Sequence, residues 1–140
     1  MTPQDLKLRR VESFMALAVK ELSAAKMLSG EHREQSAYFL QQSVEKLARG
    51  LLEVSDVLVG TTHNIRQLAG MMVGHDILAA RFVALDELSI AATRYRYPGP
   101  QGQLSDISAP RLLRLMQDVE LLNSDVAVVL GDYVTETRGL

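Results

Sequence analysis

Four side chains suited to ligand binding are concentrated in residues 94–97, directly before a Pro-Gly loop. A guanidinium group can form two charge-assisted hydrogen bonds with a phosphate, and a tyrosine ring can stack on a nucleobase. Arg94 and Arg96 beside Tyr95 and Tyr97 therefore suit a phosphate and a stacked base. A structural explanation is also open, because arginines in a last helical turn oppose the negative end of the helix dipole. In that case Tyr95 buries its ring while its hydroxyl stays in water.

A second group of candidates lies on the segment YFLQQSVEKLARGLL, residues 38–52. Successive residues of a helix are separated by about 100°, so Tyr38, Gln42, Glu45 and Arg49 share one flank beside the apolar stripe. This flank could line a groove or contact another subunit. The spacing alone favours a simpler interpretation, a solvated face with an i,i+4 ion pair worth about 0.3–0.5 kcal/mol.

Several familiar kinds of site are excluded or disfavoured. The chain has no cysteine, which removes disulfides, thiolate zinc sites and cysteine nucleophiles. The three histidines, His32, His63 and His75, do not show the spacing of a helical metal-binding motif. The sequence contains neither a glycine-rich phosphate loop after a strand nor a Gly-x-Ser-x-Gly elbow. We therefore expect no metal and no cofactor.

Composition narrows the choice of environment and partner. The 140 residues suffice for one domain with its own core, and the net charge of −2 disfavours a general polyanion-binding surface. DNA is therefore not expected as a ligand, and any nucleic-acid contact would come from a local patch. No apolar run approaches the roughly 18 residues of a membrane span. We expect a soluble, cytoplasmic protein without a membrane contact.

Apolar residues recur at steps of three and four and predict helices over about 5–28, 37–58, 62–74, 76–97 and 108–133. Thr62, Asp76 and Ser108 are the predicted N-caps of the last three, and Pro110 suits a first helical turn. Residues 98–108 form the linker, and the tail 134–140 is expected to fray. The predicted fold is an all-α, up-and-down antiparallel bundle of four long helices plus one short helix. It forms one domain over residues 1–140, with a core of about 5–133.

A single asparagine, Asn123, lies on the apolar seam of the last predicted helix. An isolated seam asparagine is typical of a device that sets register or oligomeric state. Because closed two-fold pairing is the commonest assembly, we expect a homodimer that uses the Tyr38 flank or the Asn123 seam.

Taken together, these segments resemble the HEPN family of small helical-bundle proteins. The first motif of the resemblance is an aromatic-x-x-Gln-x-x-x-Glu-Lys helix, here Tyr38, Phe39, Gln41, Gln42, Glu45, Lys46 and Arg49. The second is a Thr-His stretch before a short helix, here Thr62 and His63 with Leu68, and the third is an Arg-Tyr-Pro helix end, here Arg96, Tyr97 and Pro98. The resemblance covers roughly residues 5–133.

The resemblance implies a homodimer or a complex with a minimal nucleotidyltransferase, and a nucleotide or RNA ligand. In some branches it also implies a ribonuclease toxin of a bacterial or archaeal toxin–antitoxin pair. Those ribonucleases contain an Arg followed after four to six residues by a His. This chain departs from that pattern, because eight residues separate Arg66 from His75 and no histidine follows Arg94 or Arg96. Acid–base cleavage of RNA needs a group that titrates near neutrality, so we doubt nuclease activity.

The leading hypothesis is thus a non-catalytic HEPN binding module that contacts a nucleotide, RNA or a nucleotidyltransferase. Its predicted binding residues are Arg94, Tyr95, Arg96, Tyr97, Tyr38, Gln42, Glu45, Arg49 and His63. One alternative is a HEPN ribonuclease toxin, and another is a purely structural helical adaptor in which these charges are only solvated.

Overall fold

A computed structural model describes residues 1–139, and within this range the protein is helical and contains no strand. The elements are α1 (Pro3–Leu28), α2 (Arg33–Val54), α3 (Ile65–Gly70), α4 (Asp76–Val83), a 3-10 helix (Asp86–Ala92) and α5 (Ala109–Arg138). The predicted all-α helical bundle is confirmed. None of these helices combines the length and the apolar composition that crossing a bilayer requires.

The first two long helices pack against each other in opposite directions. The Ser36 hydroxyl of α2 donates to the Ala25 carbonyl of α1, and the Ser43 hydroxyl donates to the Ala18 carbonyl, each at 2.7 Å. Residue numbers thus fall along α1 as they rise along α2, which is the predicted antiparallel pairing. The connection is short because only residues 29–32 lie between the two helices.

The third long helix, α5, completes the core. Its start follows the prediction, since the Ser108 side chain accepts from the Arg111 backbone N–H and a proline occupies the first turn. Gly50 of α2 lies close to α5, because a Cβ there would lie 2.9 Å from Leu130 Cδ1. The buried apolar residues of α5 are Leu112, Leu115, Met116, Val119, Leu122, Val126 and Leu130.

Asn123 is buried inside this bundle. Its side-chain N–H₂ group donates to the Ser43 hydroxyl and to the Val119 carbonyl, both at 3.0 Å. Because only 7% of the residue is exposed in one chain, the expected subunit contact through the Asn123 seam is wrong. The contact with Ser43 instead fixes the register between α5 and α2.

The segment after α3 differs most from the prediction. A single helix over 76–97 was expected, but α4 ends at Val83, a 3-10 helix follows and residues 93–97 form a turn. The buried side chains there recur at every third residue, and a 3-10 helix has three residues per turn. These buried residues are Phe82, Leu85, Leu88 and Ala91. Only three helices of the bundle are therefore long.

Several predicted helix ends were also wrong. Helix α2 stops at Val54, because Asp56 adopts a left-handed backbone with φ of 58°, and Leu58 is almost fully exposed. The side chain of Asn64, rather than Thr62, caps α3, and Asp76 lies in the first turn of α4 instead of capping it.

The predicted tail, residues 134–140, was expected to fray, but it is helical as far as Arg138, and Leu140 lies outside the described residues. The Arg138 guanidinium pairs with Glu12 of α1 at 2.5 Å. Helix α5 ends at Gly139, which has a left-handed φ of 72°. The expected fraying is therefore wrong for residues 134–138, because contacts with α1 continue beyond Tyr133.

Candidate functional site

Two stretches that are distant in the sequence meet in one open groove. Tyr38 and Gln42 of α2 line it together with His63 and Asn64 before α3, and with Thr93 and Arg96 of the turn after the 3-10 helix. Its volume is about 300 Å³. We call it the Tyr38–Arg96 groove.

The Arg96 guanidinium lies between two tyrosine rings. Its Cζ is 4.9 Å from the centroid of the Tyr38 ring and 5.6 Å from that of Tyr97. A guanidinium on a ring face gains cation–π attraction while the N–H groups at its edge stay available as donors. Tyr97 is 60% exposed, so this arrangement presents cationic donors and an accessible aromatic surface side by side.

The four residues of the predicted Arg-Tyr-Arg-Tyr cluster do not all line the Tyr38–Arg96 groove. Tyr95 is half-buried against the core, and this burial raises the pKa of its hydroxyl. A second depression, of about 460 Å³, is lined by all four residues of the cluster together with Glu34 and Asp106, and it shares Arg96 with the Tyr38–Arg96 groove. A turn rotates successive side chains by roughly 100–120°, and only Arg96 of the four therefore lines that groove.

Glu45 was predicted on a flank that the spacing alone favoured as solvated, but it is buried, with 4% of its side chain exposed. Its Oε1 lies 2.8 Å from His63 Nδ1 and accepts from Arg49 Nε at 3.1 Å. Its Oε2 accepts from Gln41 Nε2 at 3.1 Å. The solvated-face interpretation is therefore wrong for Glu45, because Arg49, Gln41 and Gln42 donate to this carboxylate and the His63 ring contacts it.

Arg49 connects α2 to the irregular segment that follows the helix. Besides its bond to Glu45, its Nη2 donates to the Thr62 carbonyl at 2.8 Å and approaches the Gly60 carbonyl at 3.5 Å. Its side chain is 18% exposed. Glu45 and Arg49 thus lie behind the groove, and they fix the segment that carries His63.

Gln41 belongs to this network but was absent from the predicted site residues. It is fully buried, and its Nε2 donates to the His63 carbonyl at 3.2 Å as well as to Glu45. Its position on α2, one helical turn before Glu45, was the available signal. The backbone path of residues 60–63, which supplies its partner, could not be predicted from helical spacing.

The network continues from the groove to α1. Gln42 donates to the side-chain oxygen of Gln41 at 2.6 Å, and Lys46 Nζ donates to the Gln42 side-chain oxygen at 3.1 Å and to Glu21 at 3.0 Å. Burial raises the pKa of Glu21, with a smaller contribution from the Glu45 charge, although Lys46 opposes both. A connected set of hydrogen bonds therefore fixes the Gln42 amide at the groove wall.

His63 is the exposed end of the network, with 63% of its side chain accessible. Nδ1 faces Glu45, so Nε2 lies on the opposite edge of the ring. The groove consequently combines a cation, aromatic faces and one imidazole nitrogen, which suits an anionic, partly aromatic ligand. Within residues 1–139, no group of three or more His, Asp or Glu side chains could hold a metal ion.

One protein-family model matches the part of the chain that contains these residues. The HEPN domain family model matches residues 11–123, which is more than three quarters of the chain and contains every groove residue named above. No curated protein and no solved structure gave a significant match. The chain belongs to the HEPN domain family.

Proposed function

We propose that this protein is a non-catalytic HEPN binding module whose Tyr38–Arg96 groove binds a nucleotide or a short stretch of single-stranded RNA. Arg96 would bind the phosphate, and the exposed Tyr97 ring, which lies beside Arg96 and outside the lining of the groove, would stack on a base. The position of the Arg96 guanidinium between the Tyr38 and Tyr97 rings carries the proposal.

The charge on Arg96 supports this assignment. Across residues 1–139 no aspartate or glutamate forms an ion pair with Arg96, whereas Arg49 and Arg66 are paired with Glu45 and Asp86. An arginine that is oriented by aromatic rings keeps its fork of donors for a phosphate. A solvated adaptor surface would not require this orientation.

The partners of Glu45 and the sequence support the non-catalytic part of the proposal. Glu45 accepts from Arg49, Gln41 and Gln42 and contacts His63 Nδ1, so its lone pairs are already engaged and it is a poor general base. The Arg-x(4–6)-His pattern of the ribonuclease branches is absent from the sequence.

Binding measurements on two arginine variants test the proposal. Arg96→Ala should weaken binding of ATP or tetra-adenylate RNA by at least about tenfold, because charge-assisted hydrogen bonds contribute about 1.5–3 kcal/mol each. Arg94→Ala, which alters the neighbouring depression, should have a smaller effect. Arg114→Ala, an exposed arginine of α5, is the matched control. Calorimetric titration gives the affinities, and equal affinities for wild type and Arg96→Ala would refute the groove as the binding site.

A nucleotidyltransferase, possible in a toxin–antitoxin type pair, is the other partner that this face could bind. If neither ATP nor tetra-adenylate binds the wild type, the nucleotide proposal fails. Arg96→Ala should then disrupt co-purification with a co-expressed nucleotidyltransferase, while Arg114→Ala should not. Normal co-purification of both variants would leave the structural adaptor as the best account.

The Glu45–His63 hydrogen bond favours one second candidate, a ribonuclease. A carboxylate that orients an imidazole is the usual arrangement of a general base. RNA cleavage by the purified protein that is lost in His63→Ala, and kept in His32→Ala, would favour this activity over the binding module.

A further inference from the structure

We infer that Glu45 fixes the tautomer of His63, so that the Tyr38–Arg96 groove selects ligands with a hydrogen-bond donor near the phosphate. The inference rests on the proposed function, because it specifies what the same groove recognises. In a nucleotide, the donor is either a ribose hydroxyl or an exocyclic amine of the base. Glu45 is then a positioning residue, and His63 is the residue that contacts the ligand.

The contact between Glu45 and His63 is short enough to need one hydrogen between the two groups. An ionised carboxylate can only accept hydrogen bonds, and Arg49 supplies the balancing positive charge at 3.1 Å. The 2.8 Å contact from His63 Nδ1 to Glu45 Oε1 therefore requires the hydrogen to be on Nδ1. In the neutral ring, Nε2 then carries a lone pair and acts as an acceptor.

Two hydrogen bonds from α2 hold the backbone of residues 62 and 63 in place. Gln41 Nε2 donates to the His63 carbonyl at 3.2 Å, and Arg49 binds the carbonyl of the preceding residue, Thr62. Both anchors are on α2, a long helix of the bundle. The backbone of His63 is thus held by the same helix that carries Glu45. The His63 ring and the Glu45 carboxylate therefore keep the same relative position.

The groove consequently presents two complementary groups. Arg96 offers only donors, which match phosphate oxygens, whereas the His63 ring in its neutral form offers an acceptor at Nε2. Both residues line the same groove of about 300 Å³, and the His63 side chain is mostly accessible. A ligand that offers an anion and no nearby donor would leave the His63 acceptor without a partner.

The role of Glu45 can be tested without any ligand. Long-range ¹H–¹⁵N spectra of the whole protein, recorded with the rings neutral, identify which nitrogen of each histidine is protonated. We expect hydrogen on Nδ1 of His63, with His32 and His75 as internal references. Hydrogen on Nε2 of His63 would overturn the inference. Glu45→Met keeps the length of the side chain but removes its oxygen acceptors, so the preference for Nδ1 should weaken, and an unchanged tautomer would show that Glu45 does not set it. If Glu45→Met does not fold, the wild-type spectrum still decides.

The ligand preference is tested with matched analogues of ATP and tetra-adenylate RNA. One analogue lacks the ribose hydroxyls and the other replaces adenine by unsubstituted purine. Wild type should lose about threefold to tenfold in affinity for one of the two, the factor that a neutral hydrogen bond contributes. The analogue that is affected identifies the hydroxyl or the amine as the donor.

The variant His63→Ala completes this test. It should bind the parent ligands with the same threefold to tenfold loss, about the contribution of one hydrogen bond, and should no longer distinguish the analogue. His32→Ala should behave as wild type. If wild type treats all analogues alike, or if His63→Ala still discriminates, the preference is refuted. If no parent ligand binds, the preference and the proposed function both fail, whereas the tautomer measurement still judges the role of Glu45.

Discussion

Helix α2 carries two buried polar networks on opposite sides, and they differ in what they connect. On one side Ser36 and Ser43 donate to backbone carbonyls of α1, and Ser43 also contacts Asn123 of α5. On the other side Gln41 and Glu45 contact the irregular segment before α3. Both networks are buried, so burial of polar groups does not by itself mark a functional site.

The difference lies in the charge and in the end point of each network. The serine network is neutral, and it joins elements that are already packed through apolar stripes. The Glu45 network contains an ion pair with Arg49, and it ends at the exposed His63 ring in the Tyr38–Arg96 groove. A buried charge needs paired donors, and here those donors also fix a loop. We therefore interpret the serine side as structural and the Glu45 side as the support of a site.

The largest expected effect comes from removal of the buried charge. Glu45→Ala leaves the mostly buried Arg49 without its carboxylate and releases His63, which should lower the free energy of unfolding by about 3–5 kcal/mol. Urea denaturation measures this loss. The matched control is Glu12→Ala, because the Glu12–Arg138 ion pair is exposed and such pairs contribute about 0–1 kcal/mol. Similar losses of unfolding free energy in the two variants would show that the buried Glu45 network stabilises the protein no more than the exposed Glu12–Arg138 pair does.

A smaller effect is expected on the serine side. Ser43→Ala removes a partner from both the Ala18 carbonyl and the Asn123 amide, and should cost about 1–3 kcal/mol. In Ser43→Ala the Asn123 amide is left without its hydroxyl partner, and adding Asn123→Leu removes that amide. The double variant should therefore lose less unfolding free energy than the sum of the losses in the two single variants. Ligand affinity should not change in any of them. Altered binding by the groove would show that the two sides of α2 are coupled.

The parts of the fold that follow from periodic packing could be predicted from the sequence. The apolar stripes and the Ser108 cap predicted the three long helices, because packing of an amphipathic face determines where such helices lie. The segment 76–97 could not be predicted in the same way. Its break into α4 and a 3-10 helix accompanies tertiary contacts, such as the Asp86 carboxylate that accepts from the Arg66 backbone N–H at 3.1 Å.

The sequence predicted which residues belong to the candidate site better than it predicted how they are arranged. Tyr38, Gln42, His63 and Arg96 do meet in one groove, although neither periodicity nor spacing related Tyr38 to Arg96. Arg96 lines the groove and Tyr95 packs against the core because residues 93–97 form a turn. The sequence pattern had predicted the end of a helix there. Burial of Glu45 depends on the path of residues 60–63, which has no periodic signal.

The smallest expected effect concerns Glu21, where the network that begins at the groove reaches α1. Its Oε2 is buried and accepts no hydrogen bond from residues 1–139, and burial is the main cause of its raised pKa. A carboxyl whose pKa is raised by folding stabilises the protein while it is protonated, and this contribution disappears as the pH rises through the folded pKa. Wild type should therefore lose stability relative to Glu21→Gln as the pH rises from about 4, near the ordinary pKa of glutamate, towards neutrality. Urea denaturation of both proteins across this range measures the difference. Lys46→Met should move the change to higher pH, because Lys46 lowers the pKa of Glu21. A difference between wild type and Glu21→Gln that is constant with pH would mean that this end of the network is as well solvated as an ordinary surface carboxylate.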